Sequence, residues 1–139
     1  MIILDTNVIS EILRPTPDEG VVAWLGAHPR TALFTTTITY GELLYGVRLL
    51  PVGQRRDALL TAVQAIFESD LVGQVLSFDG EAADAYAHIA AERRGAGKPI
   101  SQFDAMIAGV ARSRGASVAT RNVKDFEHCG VNVIDPWRY

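Results

Sequence analysis

The stretch Ile2-Ile3-Leu4-Asp5-Thr6-Asn7-Val8-Ile9 decides how the rest of the chain is read. Three apolar residues with no polar alternation mark a short strand buried on both faces. A carboxylate follows at once. Val8, Ile9, Ile12 and Leu13 then recur at helical spacing until Pro15 stops the helix. A doubly buried strand running straight into a helix predicts a parallel sheet with helices on both faces. In such sheets ligands gather outside the carboxyl ends of the strands, which is where Asp5 falls.

The remainder repeats this alternation. Pro17-Asp18-Glu19 predicts the start of a second helix carrying Val21, Val22, Trp24 and Leu25. Ala32 to Thr35 is a second strand. Thr39 to Leu50 and Gln54 to Ser69, parted by Pro51-Val52-Gly53, predict a helical hairpin inserted before a third strand at Gln74 to Ser77. Asp79 to Arg94 is a helix closed by Gly95-Ala96-Gly97. Ser101 to Arg114 is another, with Phe103, Met106, Ile107 and Val110 inward and Gly115 ending it. Ser117 to Thr120 is a strand, Val123 to Phe126 a short helical turn, and Val131 to Ile134 the last strand. The expectation is a single α/β domain over 1–139, a three-layer α/β/α sandwich on a central parallel sheet.

Bulk properties limit the function. The 139 residues carry 13 Lys+Arg against 16 Asp+Glu, a net charge of −3, which at face value disfavours a polyanionic partner. The lone cysteine, Cys129, excludes an internal disulfide and suits a cytoplasmic setting. The first residues have neither a basic nor an apolar secretory region, and no apolar run nears the ~20 residues needed to span a bilayer.

Four carboxylates stand where chemistry is expected. Asp5 follows the first strand. Thr120-Arg121-Asn122 follows the strand before the end, with Asp125 close behind, and Glu42 and Asp104 lie in the first turns of helices facing the same edge. Each has a plain structural reading. Asp5-Thr6-Asn7 can cap the first helix, and Thr39-x-x-Glu42 and Ser101-x-x-Asp104 match capping boxes. Capping gives no reason for four acids from distant segments to converge. Clustered anions repel one another unless a cation is present, and oxygen-only ligands select Mg²⁺ or Mn²⁺. Arg121 and Lys124, in the same loop as Asn122, and Arg93, Arg94 and Lys98 are candidate phosphate contacts. Without the four acids the chain has twelve acids against thirteen bases, so its acidity is concentrated where a metal would sit.

These blocks resemble the PIN-domain ribonucleases, and within them the VapC/FitB-like toxins of bacterial toxin–antitoxin pairs. The matching pieces are Leu4 to Ser10, Thr39 to Leu43, Pro99 to Ala108 and Thr120 to Phe126. The resemblance implies catalytic, metal-holding acids at Asp5, Glu42 and Asp104, with Asp125 as the fourth because position 122 is the neutral Asn122. It implies substrate contacts at Thr6, Asn7, Thr120, Arg121, Asn122 and Lys124. It further implies Mg²⁺- or Mn²⁺-dependent endonucleolytic cleavage of RNA, a small VapB/FitA-like antitoxin through which the pair binds promoter DNA, and a homodimer.

Two other readings compete. One is a HAD-like phosphatase or dehalogenase with Asp5 as nucleophile. That chemistry wants a second acid two residues on, where Asn7 stands, and a supporting lysine, of which the chain has only Lys98 and Lys124. The other is a non-catalytic PIN module that binds antitoxin and promoter DNA, against which the intact acid set argues.

Overall fold

A computed structural model describes all residues 1–139. Five strands, β1 (Ile2–Leu4), β2 (Leu33–Thr36), β3 (Val75–Leu76), β4 (Ser117–Ala119) and β5 (Val133–Ile134), pair in the order β3-β2-β1-β4-β5. Every pairing is parallel. The expected α/β/α layering is present, and its cause is visible in the register. Ile3 pairs with Phe34 and Val118, and Val118 with Val133. This row packs into one core with Ile89, Ile107 and Val110. One residue on, Leu4, Ala119 and Ile134 form a row on the opposite face, packed with Val8, Ile9, Trp24 and Val63. Successive side chains of a strand point to opposite faces, so three-residue strands feed two cores.

Helices α5 (Gly80–Gly95) and α6 (Gln102–Arg114) cover the first face, and α1 (Thr6–Ile12), α2 (Glu19–Gly26) and α4 (Gln54–Ala65) the second. Helix α3 (Thr37–Arg48) stands at the border, with Ile38 in one core and Val47 in the other. As expected, α3 and α4 form a hairpin between β2 and β3.

Three local readings are corrected. Helix α3 begins at Thr37, because Thr36 at the end of β2 accepts the Thr39 N–H at 3.1 Å and caps the helix two residues early. The second helix does start within Pro17-Asp18-Glu19: Glu19 is its first residue, capped by the Asp18 carboxylate on Val21 N at 3.1 Å. The second hairpin helix is α-helical only to Ala65. Ile66–Asp70 is a π turn, in which Leu71 N reaches Ile66 O at 2.8 Å and Arg30 Nη2 takes the Ser69 carbonyl at 2.9 Å. Phe103 faces outward and is 53% exposed, beside Tyr45, Phe78 and Met106.

Candidate active site

Strand β1 leads on one side to β2 and β3 and has β4 and β5 on its other side. The sheet therefore reverses its winding between β1 and β4, the place where α/β sheets open a crevice. Asp5 and Thr120 are the residues just past these two strands. Asp5 N donates to Ala119 O and Thr120 N to Ile134 O, both at 2.9 Å, so the ladder holds both backbones.

The Asp5 carboxylate is buried and held from two sides. Oδ1 accepts the Thr6 N–H at 2.8 Å. Oδ2 accepts the Thr120 hydroxyl at 2.8 Å and Asn7 Nδ2 at 3.4 Å. Asp5 is thus the N-cap of α1 as well as a candidate site residue. Thr120 Oγ1 in turn accepts from Asn7 Nδ2 at 3.1 Å and Asn122 N at 3.0 Å. Its one proton and two lone pairs are all committed, so Thr120 is a fixed support beneath the site.

Glu42 reaches the same place from α3. Because the helix starts early, Glu42 lies in its second turn and has no capping role. Instead Thr6 Oγ1 donates to Glu42 Oε1 at 2.9 Å. With its proton so used, Thr6 accepts from Thr39 Oγ1, 3.1 Å away, which accepts from Thr36 Oγ1 at 3.4 Å. A file of three threonine hydroxyls therefore ends on this carboxylate. Asp104 comes from the first turn of α6, whose N-cap Ser101 accepts the Asp104 N–H at 3.2 Å.

Asp5, Glu42 and Asp104 line one open cleft of about 430 Å³ with Thr6, Asn7, Arg121 and Asn122. All three carboxyls are pushed up from their ordinary range. Burial is the first cause for each, and carries Asp5 to about 6 against the opposing pull of the Thr120 and Thr6 hydrogen bonds. The charges of Asp104 and Glu42 raise Asp5 further, and Asp104 raises Glu42. Asp104 is held up by burial against its Ser101 hydrogen bond, with the Asp125 charge adding to the rise.

Asp125 and Lys124 line an adjoining hollow that shares Arg121 and Asn122 with the cleft. Asp125 is in electrostatic reach of Asp104 but its side chain does not line the cleft. Arg93 is not a surface phosphate contact. It is buried, and its guanidinium donates to the carbonyls of Lys98 at 2.7 Å and of Asp125 and Glu127 at 2.9 Å, pinning the turn that carries Asp125.

Four further cleft residues are not among the site residues expected from the sequence: Ser10, Glu11, Arg14 and Trp137. The first three follow Asn7 at spacings of three and four, so the polar face of α1 was the signal that could have found them. Nothing local points to Trp137, which reaches the cleft from the far end of the chain. No three carboxylate, imidazole or thiol groups close around one point as a ready metal cage. The donors are nonetheless all oxygens and mutually repelling, which suits a hard cation that keeps part of its water shell.

The PIN domain family matches residues 2–131, and the chain belongs to that family. It is similar to the VapC ribonuclease Y4jK of Sinorhizobium fredii, 39% identical over 99% of this chain and 98% of that protein. It is also similar to the toxin FitB of Neisseria gonorrhoeae, 39% identical over 99% of each. Among solved structures, that of FitAB bound to an IR36 DNA fragment superposes with a TM-score of 0.92 at 39% identity, covering 99% of this chain and 96% of that one.

Proposed function

We propose that this chain is the toxin of a type II toxin–antitoxin pair and acts as a divalent-metal-dependent endoribonuclease. The observation that carries the reading is the meeting of Asp5, Glu42 and Asp104 in one cleft at the switch point, each carboxyl raised by burial and by its neighbours. Asp5, Glu42 and Asp104 would hold Mg²⁺ or Mn²⁺, with Asp125 contributing its charge through Asp104. The ion, when bound, lowers the pKa of a water and neutralises a phosphoryl oxygen.

The chain's own residues do the rest. Thr120, Asn7 and the Thr6 N–H fix the Asp5 carboxylate, and the threonine file fixes Glu42. Arg121, Lys124, Asn122, Asn7 and Thr6 bind and orient the phosphodiester. Water attacks phosphorus in line, the P–O3′ bond breaks, and the phosphate stays on the 5′ end of the downstream fragment. The partner is a small VapB/FitA-like antitoxin that blocks the site and carries the pair to promoter DNA. The FitAB–DNA complex supports this pairing. The toxin would work as a homodimer in the cytoplasm. No helix is long and apolar enough to cross a membrane.

The test is cleavage of total RNA by purified protein. Activity should need Mg²⁺ or Mn²⁺, vanish with EDTA, and be lost in Asp5→Asn and Asp104→Asn while both variants keep their circular dichroism. Full cleavage by either variant, or turnover of a small phosphomonoester in place of RNA, overturns the reading.

A further inference from the structure

The cleft extends beyond the carboxylates along α1. Asn7, Ser10, Glu11 and Arg14 form one polar face of this helix and its C-terminal extension, and all four line the cleft. Their spacing puts them on one side, opposite the buried Val8 and Ile9. Arg121 is tied to the Asp5 end of this face, since its backbone N–H donates to Asn7 Oδ1 at 3.2 Å. Arg14 stands seven residues further on, about 10 Å along the axis at the helical rise. The cleft wall therefore carries two arginines as well as the carboxylates.

Each guanidinium is held by a different partner. Arg121 has no carboxylate within ion-pair distance. Its Cζ lies 5.2 Å from the centre of the Trp137 ring, which shares the cleft wall. Arg14 Nη1 donates to both oxygens of Glu11, at 3.3 and 3.4 Å. Glu11 is itself buried and anchored by the Asp18 N–H at 3.0 Å. The Arg14 side chain stays 64% exposed, so most of its donors remain free. A planar fork held from one side and open on the other suits a phosphate.

We propose that Arg121 and Arg14 each grip a backbone phosphate of the strand lying in the cleft, with Trp137 positioning Arg121 and Glu11 positioning Arg14. The inference rests on the ribonuclease reading and deepens it: the strand must extend past the scissile bond toward Arg14. An acidic protein segment would find the same arginines but would also face three carboxylates with nothing to bridge them, so RNA is the occupant argued for.

The experiment has two arms on the full chain. In the first, cleavage of a single-stranded RNA substrate is followed at several KCl concentrations. Arg14→Ala and Trp137→Leu should each raise KM about five- to tenfold with kcat within about twofold, and each should flatten the salt dependence by about 0.7, the loss of one phosphate contact. Trp137→Phe, which keeps a ring, should restore most of the loss. Trp137→Leu placed on Arg121→Ala should add nothing.

In the second arm, binding of the same RNA is measured by anisotropy with Asp5→Asn as the parent, which reads the grip without turnover. A wild-type protein that binds through Arg14 and Trp137 but does not cleave overturns the ribonuclease reading alone. Unchanged binding and an unchanged salt slope in Arg14→Ala and Trp137→Leu overturn the grip. So does a full additional loss from Trp137→Leu on Arg121→Ala, or an Arg14→Ala defect confined to antitoxin binding.

Discussion

Asp5 is held by three hydrogen-bond donors, yet its carboxyl titrates near 6 because burial outweighs them. An acid whose native pKa stands above its unfolded value of 3.8 stabilises the fold while it is protonated. That contribution is full below about pH 4 and is lost as pH rises through about 6. At pH 7.5 the metal-free protein therefore carries an ionised, buried Asp5 at a cost. Asp5→Asn, which cannot ionise, should be the more stable protein there by roughly 1–3 kcal/mol, and the difference should disappear near pH 4. Urea unfolding in EDTA at the two pH values measures this. A midpoint at pH 7.5 no higher than wild type would show that the hydrogen bonds to the ionised carboxylate outweigh its burial. The position of Asp5 at a strand end is legible in the sequence. The depth of its burial depends on Thr120, Asn7 and Ala119, which lie in other segments or have no charge to flag them.

Helices α3 and α6 deliver the other two carboxylates, and their starts were legible to different degrees. Ser101-x-x-Asp104 reads as a cap followed by a site acid, and the structure keeps Ser101 as the cap. Thr39-x-x-Glu42 reads the same way, yet Thr36 caps α3 and Glu42 is released to meet Thr6. A capping-box pattern is a local rule. Several threonines compete for one N-terminus here, and Thr36, the last residue of β2, is the one left extended at the cap position. Phe103 lies outside the inward face for a related reason: helical spacing gives the apolar face but not its edge. The packing of α6 on α5 has its own requirement. A Cβ on Gly109 would stand 2.7 Å from the Ala82 carbonyl oxygen and 2.9 Å from Tyr86 N, both backbone atoms. Gly109→Ala should push the two helices apart and cost about 1–3 kcal/mol. The same shift should displace Asp104 at the head of α6 and lower cleavage more than the stability loss explains. Thermal melting and single-turnover cleavage on the same preparation check both. Wild-type stability in this variant would mean that α5 yields without cost.

At the scale of the whole molecule, the reversal of strand order at β1 turns scattered acids into one site. Strand content and order of connection were legible from the apolar runs, because doubly buried strands carry no polar alternation. The placement of β4 beside β1 came only with the fold, and with it the contact of Trp137 with Arg121 across a sequence gap that no periodicity spans. The net charge of −3 takes its meaning from this arrangement. Three of the acids repel one another across one cleft, and that repulsion is a standing cost to the metal-free fold. A divalent ion that binds only the native cleft removes the cost and adds its binding energy, about 2.7 kcal/mol at a hundredfold excess over its Kd. For a chain of this size the melting temperature should rise by roughly 6–12 °C with saturating Mg²⁺ or Mn²⁺. NaCl at equal ionic strength should give only a small part of this, since a monovalent ion screens the acids without bridging them. The Asp5→Asn, Asp104→Asn double variant should melt at one temperature with or without the divalent ion. Equal shifts from Mg²⁺ and NaCl, or a full Mg²⁺ shift in the double variant, would place the cation elsewhere on the surface.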